Sequence, residues 1–215
     1  MIGLITLGTS PRLDLLSYFE EHCRGDKFIL VGALDGLSND SIKNLTVHEG
    51  KYPLSVRIGT QSEVIDIEVL KPFIEKQINH LHELGCKRAV LLCSGEFDFF
   101  FKSQIPIIRP SFLLEGTVKA NQNNKNILVV SPIKEQIAAN EKKWRSYGFN
   151  PIVIAIPPTD FSCKQIKNAL PNDYVSQIVL DCMSYTREHR LLVEKQTNWN
   201  TWTPIELVGA ILNLY

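Results

Sequence analysis

The chain has 215 residues, 44% of them hydrophobic, and its 23 Lys and Arg residues equal its 23 Asp and Glu residues in number. This length fits one large α/β domain or two lobes of about 100 residues each, with enough apolar residues for a core. The balanced charge, without a basic run, argues against nucleic acid as a partner, and no apolar run is long enough to span a membrane. Because the apolar N-terminus leads directly into a turn, without a charged leader, we expect a cytoplasmic protein.

The five cysteines form neither a CxxC pattern nor an even set, so the sequence predicts no metal site and no disulfide framework. We therefore interpret each cysteine as an individual thiol. His80 and His82 are two residues apart on a predicted helix and do not share a face, which also argues against a metal.

The first lobe is predicted to open with a strand-helix-strand unit, in which Pro11 lies where the helix begins. Alternating residues on both sides of Gly59 and Thr60 predict a hairpin, which we interpret as an insertion near 52–67. Gly85 supplies a C-terminal stop for the long helix before the last strand. The predicted elements are strand 2–7, helix 11–22, strand 28–34, a short helix from 34, strands 54–58 and 63–67, helix 68–84 and strand 88–92.

The second lobe is predicted to repeat this pattern after the most polar run of the chain, 121–125, which follows an irregular stretch containing Pro106 and Pro110. We place the lobes at 1–120 and 121–202. The predicted elements of the second lobe are strand 126–131, helix 134–147, strand 151–156, helix 163–170, strand 177–181 and a helix with Leu191, Leu192 and Val193 on one side. Thr203 and Pro204 open a C-terminal helix, 203–215, which we expect to pack back on the first lobe.

Cys93 and Cys182 follow two aliphatic strands that read as buried, at the carboxyl ends where α/β folds bind ligands. A hydroxyl residue follows closely behind each cysteine, so the sequence suggests a duplicated arrangement facing one cleft. Two thiols on opposite sides of a carbon α to a carboxylate can remove and return its proton without a pyridoxal cofactor. Their acidity must be tuned, because a thiol has an ordinary pKa of ~8.5.

Small and hydroxyl residues lie at the turns that follow the predicted strands, where N–H groups and helix N-termini favour an anion. We expect these residues to form a pocket for a substrate carboxylate, with Arg12 as a charge partner. The alternative is that the 8–12 turn only starts a helix. The predicted pocket residues are Gly8, Thr9, Ser10, Ser94, Gly95, Ser131 and Ser184.

Several segments together resemble the AroM family, within the wider aspartate/glutamate/hydantoin racemase superfamily. They are Gly3-Leu4-Ile5-Thr6-Leu7-Gly8 with Pro11-Arg12, Leu34-Asp35-Gly36-Leu37-Ser38, Arg109-Pro110-Ser111, Val129-Val130-Ser131-Pro132, and Leu180-Asp181-Cys182 with His189-Arg190. The resemblance implies two pseudo-symmetric, doubly wound α/β lobes with parallel sheets and an active site in the cleft between them. It also implies that Cys93 and Cys182 are the acid/base pair. Asp181 and Met183 stand where the superfamily usually has a small residue and a threonine, and we place Met183 in the substrate-binding set.

We therefore expect a racemase or epimerase that acts on a small carboxylated, amino-acid-like substrate without cofactor or metal. A homodimer is left open. One alternative is a decarboxylase or cis-trans isomerase of the same superfamily with a single active thiol. Another is an anion-binding or regulatory module without turnover. Cys23, Cys86 and Cys163 are interpreted as inert core thiols, and His189 and Arg190 as members of a structural ion pair rather than catalysts.

Overall fold

The computed structural model of the chain describes residues 1–46, 52–97, 99–170 and 175–214. Tyr215, the last residue of the helix predicted at 203–215, lies outside the described residues. The chain forms two compact units. The first comprises Met1–Pro110 and the C-terminal stretch from Gly209, and the second comprises Ser111–Val208.

The first unit is built on a parallel sheet of four strands in the order β2-β1-β5-β6. All five residues of β1 are buried, as expected for a central strand covered on both faces. Its strands are β1 (Ile2–Thr6), β2 (Phe28–Gly32), β5 (Arg88–Leu91) and β6 (Ile107–Ile108).

Among the described residues, three helices, a hairpin and the end of the C-terminal helix complete the first unit. The hairpin strands pair antiparallel from Pro53↔Asp66 to Ile58↔Gln61, and Gly59 takes a positive φ of 56° in the turn, a conformation that favours glycine. Asn213, just after the C-terminal helix, donates from Nδ2 to the carbonyl of His22 at 2.8 Å. The elements are α1 (Leu13–His22), α2 (Asn39–Lys43), β3 (Pro53–Ile58), β4 (Gln61–Asp66) and α3 (Ile67–Glu83).

The second unit contains a parallel sheet with the order β10-β9-β7-β8. Read from the other edge, this order is β8-β7-β9-β10, which repeats the first unit strand for strand. The strands are β7 (Asn126–Ser131), β8 (Asn150–Ala155), β9 (Gln177–Leu180) and β10 (Thr201–Trp202). The prediction of two α/β lobes on parallel sheets is therefore confirmed.

Alternate residues of β9 face different helical layers. Ile178 and Leu180 belong to a core cluster with Cys163, Ile166 and Val193, whereas Val179 belongs to one with Leu114 and Trp144. This alternation follows from the two-residue period of a strand. The helices that lie wholly or mainly in this unit are α4 (Pro110–Ala120), α5 (Ile137–Ser146), α6 (Cys163–Ala169), α7 (Arg187–Thr197) and α8 (Pro204–Leu212), with single helical turns at Lys134–Gln136 and Pro158–Asp160.

The structure differs from the sequence predictions in several places. The short helix predicted from residue 34 begins at Asn39, and the two-residue strands β6 and β10 are not among the predicted elements. The stretch predicted to be irregular before residue 121 contains β6 and α4, since Pro110 begins the helix rather than breaking the chain. In α7 only Val193 is buried, while Leu191 and Leu192 are 46% and 39% exposed, so the three residues do not form one apolar side. None of the described helices is both long enough and apolar enough to cross a membrane.

Candidate active site

Cys93 and Cys182 occupy equivalent positions in the two sheets. Each lies two residues beyond the end of its strand, and each donates its backbone N–H to the carbonyl two residues earlier: Cys93 to Leu91 at 2.7 Å and Cys182 to Leu180 at 3.0 Å. The residue before each cysteine donates to the central strand of its sheet, Leu92 to Ile5 at 2.8 Å and Asp181 to Val130 at 2.9 Å. The same backbone geometry therefore presents a thiol at the carboxyl end of both sheets.

Exposure separates these two thiols from the other three cysteines. Cys93 and Cys182 are partly exposed, whereas Cys23, Cys86 and Cys163 are 5%, 3% and 4% exposed. Burial raises the pKa of each of the three buried thiols above its ordinary value. A neutral thiol is a poor nucleophile and base, so the buried cysteines fit a core role.

The sulfur of Cys93 accepts a hydrogen bond from the backbone N–H of Gly95 at 3.2 Å. A Cβ on residue 95 would lie 3.2 Å from that sulfur and 3.2 Å and 3.4 Å from side-chain atoms of Leu54 and Tyr52. Glycine therefore allows a close approach between this turn and the hairpin. A donor aimed at the sulfur favours the thiolate form. Ser94, between them, is buried.

Asp35 organises the turn that follows β1. Its carboxylate accepts from the N–H of Ser10 at 2.8 Å, from Ser10 Oγ at 2.7 Å and from the N–H of Gly32 at 2.7 Å. A Cβ on Gly32 would lie 2.5 Å from the carbonyl oxygen of Gly8, so this crossing also requires glycine. Both donors of Ser10 that were expected to bind an anion are bonded to Asp35.

Gly8 and Thr9 contact the hairpin. The N–H of Thr9 donates to the carbonyl of Arg57 at 3.1 Å, and the N–H of Gly59 donates to Thr9 Oγ1 at 3.1 Å. A Cβ on Gly8 would lie 1.8 Å from the Arg57 carbonyl oxygen. Since the hairpin also contacts Gly95, it connects the turn after β1 to the turn that carries Cys93.

Arg12 is largely buried and forms a paired contact with Asp14, at 2.8 Å from Nε and 2.7 Å from Nη2. Burial alone would raise the pKa of Asp14, but the hydrogen bonds and charge of Arg12, with the charge of Arg57, hold it below its ordinary value. The guanidinium of Arg12 therefore already faces a carboxylate of its own unit.

Cys182 begins a turn in which Tyr185 donates its N–H to the Cys182 carbonyl at 3.2 Å. Met183 is buried and Ser184 is partly exposed. Tyr185 is fully buried and donates its hydroxyl to the Ile156 carbonyl at 2.7 Å. Burial, followed by the negative charges of Cys182 and Asp181, raises the pKa of Tyr185 far above its ordinary value, so its hydroxyl stays neutral.

Ser131, also predicted to contact substrate, lies on a different face from Cys182. Its side chain is fully buried and accepts from Asn140 Nδ2 of α5 at 2.6 Å. Cys182 instead packs against the core cluster that contains Cys163 and Tyr185. The structure therefore brings Cys182, Met183 and Ser184 together in one turn and places the Ser131 hydroxyl under α5.

Sequence reasoning missed a buried ionic cluster beside Cys182. The ammonium of Lys143, on α5, lies 2.8 Å and 3.1 Å from the two carboxylate oxygens of Asp181, and Trp144 Nε1 donates to Asp181 Oδ2 at 2.8 Å. The Lys143 side chain is 0% exposed and that of Asp181 is 1% exposed. The only signal in the sequence was Asp181, a charge directly after the aliphatic residues 178–180, because Lys143 lies in a charged stretch of its helix.

His189 and Arg190 have structural partners. The N–H of Thr186 donates to His189 Nδ1 at 2.9 Å, so the ring hydrogen lies on Nε2 and donates to the Pro158 carbonyl at 3.1 Å. His189 thus caps α7 rather than joining an ion pair. Arg190 pairs with Glu206 at 2.7 Å and Glu194 at 2.6 Å, which confirms its predicted structural role.

A cavity of about 590 Å³ opens beside Thr9 in the first unit. It is lined mainly by side chains of α2 and the hairpin; the sequence predicted a substrate-binding role for Thr9 but not for the other lining residues. The lining residues are Thr9, Asn39, Ile42, Lys43, Ile58, Gly59, Thr60, Gln61 and Glu63. Among the described residues, no group of three or more His, Cys, Asp or Glu side chains could hold a metal ion.

Solved structures with the same fold include enzymes of several activities. Arylmalonate decarboxylase matches with a TM-score of 0.65 and 13% identity, covering 99% of this chain and 91% of that one. Allantoin racemase from Klebsiella pneumoniae matches with a TM-score of 0.64 and 14% identity, covering 99% and 86%. Aspartate racemase from Picrophilus torridus matches with a TM-score of 0.58 and 15% identity, covering 98% and 92%.

A comparison of the sequence with curated proteins found no match. The family model described as AroM protein, in contrast, matches residues 2–213, almost the whole chain. The chain therefore belongs to the AroM family, and it shares its fold with arylmalonate decarboxylase and with aspartate and allantoin racemases.

Proposed function

We propose that this protein is a racemase or epimerase that acts on a small carboxylated, amino-acid-like substrate with Cys93 and Cys182 as its two acid/base groups. The observation that carries the proposal is the equivalent placement of the two thiols. Both follow the third strand of the same four-strand order, with the same backbone hydrogen bonds, and both are partly exposed while the described structure buries the other three cysteines.

In the proposed reaction one cysteine, as thiolate, removes the α-proton of the substrate and becomes a thiol. The electron pair left on the α-carbon is delocalised into the carboxylate, and the second cysteine, as thiol, gives its proton to the opposite face. The product is the other enantiomer, and the protonation states of the two sulfurs are exchanged. The hydrogen bond from Gly95 N–H to the Cys93 sulfur supports the thiolate form at that end of the reaction.

The proposed carboxylate donors are hydroxyl groups of the turns that follow the strands. They are the hydroxyls of Thr9, which borders a cavity, and of Ser94 and Ser184, which follow the two cysteines; the N–H of Gly95 instead donates to the Cys93 sulfur. Ser10 contributes by holding the turn through Asp35, and Ser131 by bonding Asn140, rather than by touching substrate.

The test is exchange of the α-proton in deuterium oxide. Small α-amino and α-hydroxy acids, as single enantiomers, are incubated with the protein without pyridoxal phosphate or added metal, and deuterium incorporation and optical rotation are followed. We expect incorporation with loss of optical activity in the wild type. Cys93→Ser and Cys182→Ser should each nearly abolish racemisation, because an alcohol is too weak an acid to form the required anion near neutral pH.

Cys23→Ser is the matched control. Cys23 is buried and its sulfur lies 3.8 Å from the Gly209 carbonyl, to which a serine hydroxyl can also donate, so this variant should racemise at the wild-type rate. Absence of exchange by the wild type across the acid panel, while a ligand still stabilises the protein, would replace the proposal with an anion-binding module.

A single-thiol decarboxylase or isomerase is the second candidate, and the unequal surroundings of the two thiols favour it. Cys93 has the Gly95 N–H at its sulfur, whereas Cys182 follows a buried carboxylate. The fold likeness to arylmalonate decarboxylase fits this candidate as well. It predicts that one Cys→Ser variant keeps full activity, and substituted malonates are the substrates to add to the panel.

A further inference from the structure

The ionic cluster of Lys143, Asp181 and Trp144 has no counterpart at the equivalent position of the first unit, where the residue before Cys93 is Leu92. A buried ion pair is costly to desolvate, and an apolar pair of similar volume often folds as well. The second unit nevertheless has such a pair, and its carboxylate belongs to Asp181, the residue directly before the partly exposed Cys182.

Asp181 joins Cys182 to α5. Consecutive Cα atoms lie only about 3.8 Å apart, so the anchor of Asp181 also fixes the backbone of Cys182. Asp181 is held by two contacts to Lys143, one hydrogen bond from Trp144 and its own N–H bond to Val130. Its side chain faces α5, whereas Cys182 packs with the cluster on the other face of the sheet.

Asp181 and Lys143 also act on Cys182 electrostatically. The carboxylate of Asp181 alone would disfavour a thiolate at Cys182, because a nearby like charge raises the pKa of an acid. The ammonium of Lys143, 2.8 Å from Asp181 Oδ2, opposes that effect. Among the described residues, two other ionisable groups lie in the cluster against which Cys182 packs, and neither brings a charge. Tyr185 is a neutral hydroxyl bonded to Ile156, and Cys163 of α6 is a thiol whose pKa burial raises.

We propose that Lys143 and Asp181 are positioning residues for Cys182, and that their paired charges set the pH at which its thiol ionises independently of Cys93. The inference rests on the proposed acid/base role of Cys182, but it concerns the thiol itself and is measurable without turnover.

The experiment is the pH dependence of alkylation by iodoacetamide, with each cysteine peptide quantified by mass spectrometry. Lys143→Gln keeps an amide donor for Asp181 but removes the cation. We expect the pH midpoint of Cys182 alkylation to rise by about one unit, which means about tenfold less thiolate at any pH below the midpoint. Asp181→Asn leaves the cation in place, and the midpoint should fall. Cys93 in the same samples is the internal control and should keep its wild-type midpoint.

Opposite shifts of the Cys182 midpoint in the two variants would support the inference, because lost packing alone would move the midpoint in the same direction in both variants. An unchanged Cys182 midpoint, shifts of the same sign, or an equal shift at Cys93 would overturn it. If circular dichroism shows that Lys143→Gln does not fold, Asp181→Asn decides alone, since only a fall in the midpoint agrees with the inference. Should the protein lack isotope exchange while these shifts occur, the proposed function fails and the inference about the thiol stands.

Discussion

At the scale of single residues, burial divides the five cysteines into two classes, and this division is testable without a substrate. We expect iodoacetamide at pH 8 to alkylate Cys93 and Cys182 in the native protein at least about tenfold faster than Cys23, Cys86 and Cys163. The buried thiols combine restricted access with a raised pKa, and the thiolate is the reactive form. In denaturant all five should react at similar rates. A buried cysteine that reacts as fast as Cys182 in the native protein would contradict this division.

The sequence identified both candidate thiols because an aliphatic strand leads up to each of them, but it did not identify their polar neighbours. The sequence predicts a short helix that includes Asp35, whereas the carboxylate of Asp35 holds the turn at Ser10 and the helix begins at Asn39. Lys143 looked like an ordinary helix residue, although a cation at a core position of α5 and an anion at the end of β9 require one another. Such pairs depend on contacts distant in sequence, 38 residues apart here, which periodicity does not report.

At the scale of elements, the contact between the hairpin and the turn after β1 depends on the missing side chain of Gly8. Gly8→Ala would place a methyl group 1.8 Å from the Arg57 carbonyl oxygen, so the hairpin must shift. We expect a loss of about 1–3 kcal/mol in the free energy of unfolding, the usual cost of overpacking. The measurement is urea unfolding followed by circular dichroism.

Gly116→Ala is the matched control, since a Cβ at this exposed helical position meets nothing within 4 Å. Alanine is the better helix former, so this variant should gain about 0.5–1 kcal/mol in the free energy of unfolding. Equal stability of Gly8→Ala and the wild type would show that the hairpin does not depend on this contact.

Hydrophobic periodicity predicted most helices and strands of both units within a few residues. It failed where the chain is rich in proline, because Pro110 was counted with the irregular stretch although proline is favoured in the first turn of a helix. The two-residue strands β6 and β10 were also missed. Strands this short carry no periodic signal, and their pairing with β5 and β9 is decided by the sheet around them.

At the scale of the whole molecule, the repeated cysteine-ending strands correctly indicated a duplication, and the identical strand order of the two sheets confirms two parallel-sheet lobes. The order of the strands could not be predicted from the sequence, since it depends on pairing between segments that are distant in the chain. Duplication is also the reason to expect proton removal on one face of the substrate and proton return on the other, because each lobe supplies one thiol in the same backbone setting.

The most direct test of that chemistry is the stereochemistry of α-deuterium exchange in Cys93→Ser and Cys182→Ser. Each variant keeps one of the two candidate catalytic thiols. Each should therefore incorporate deuterium only into the enantiomer whose α-proton faces that thiol, without racemising it. The account predicts that the two variants exchange opposite enantiomers. Exchange of the same enantiomer by both variants, or full racemisation by Cys93→Ser with loss of activity in Cys182→Ser, would contradict it.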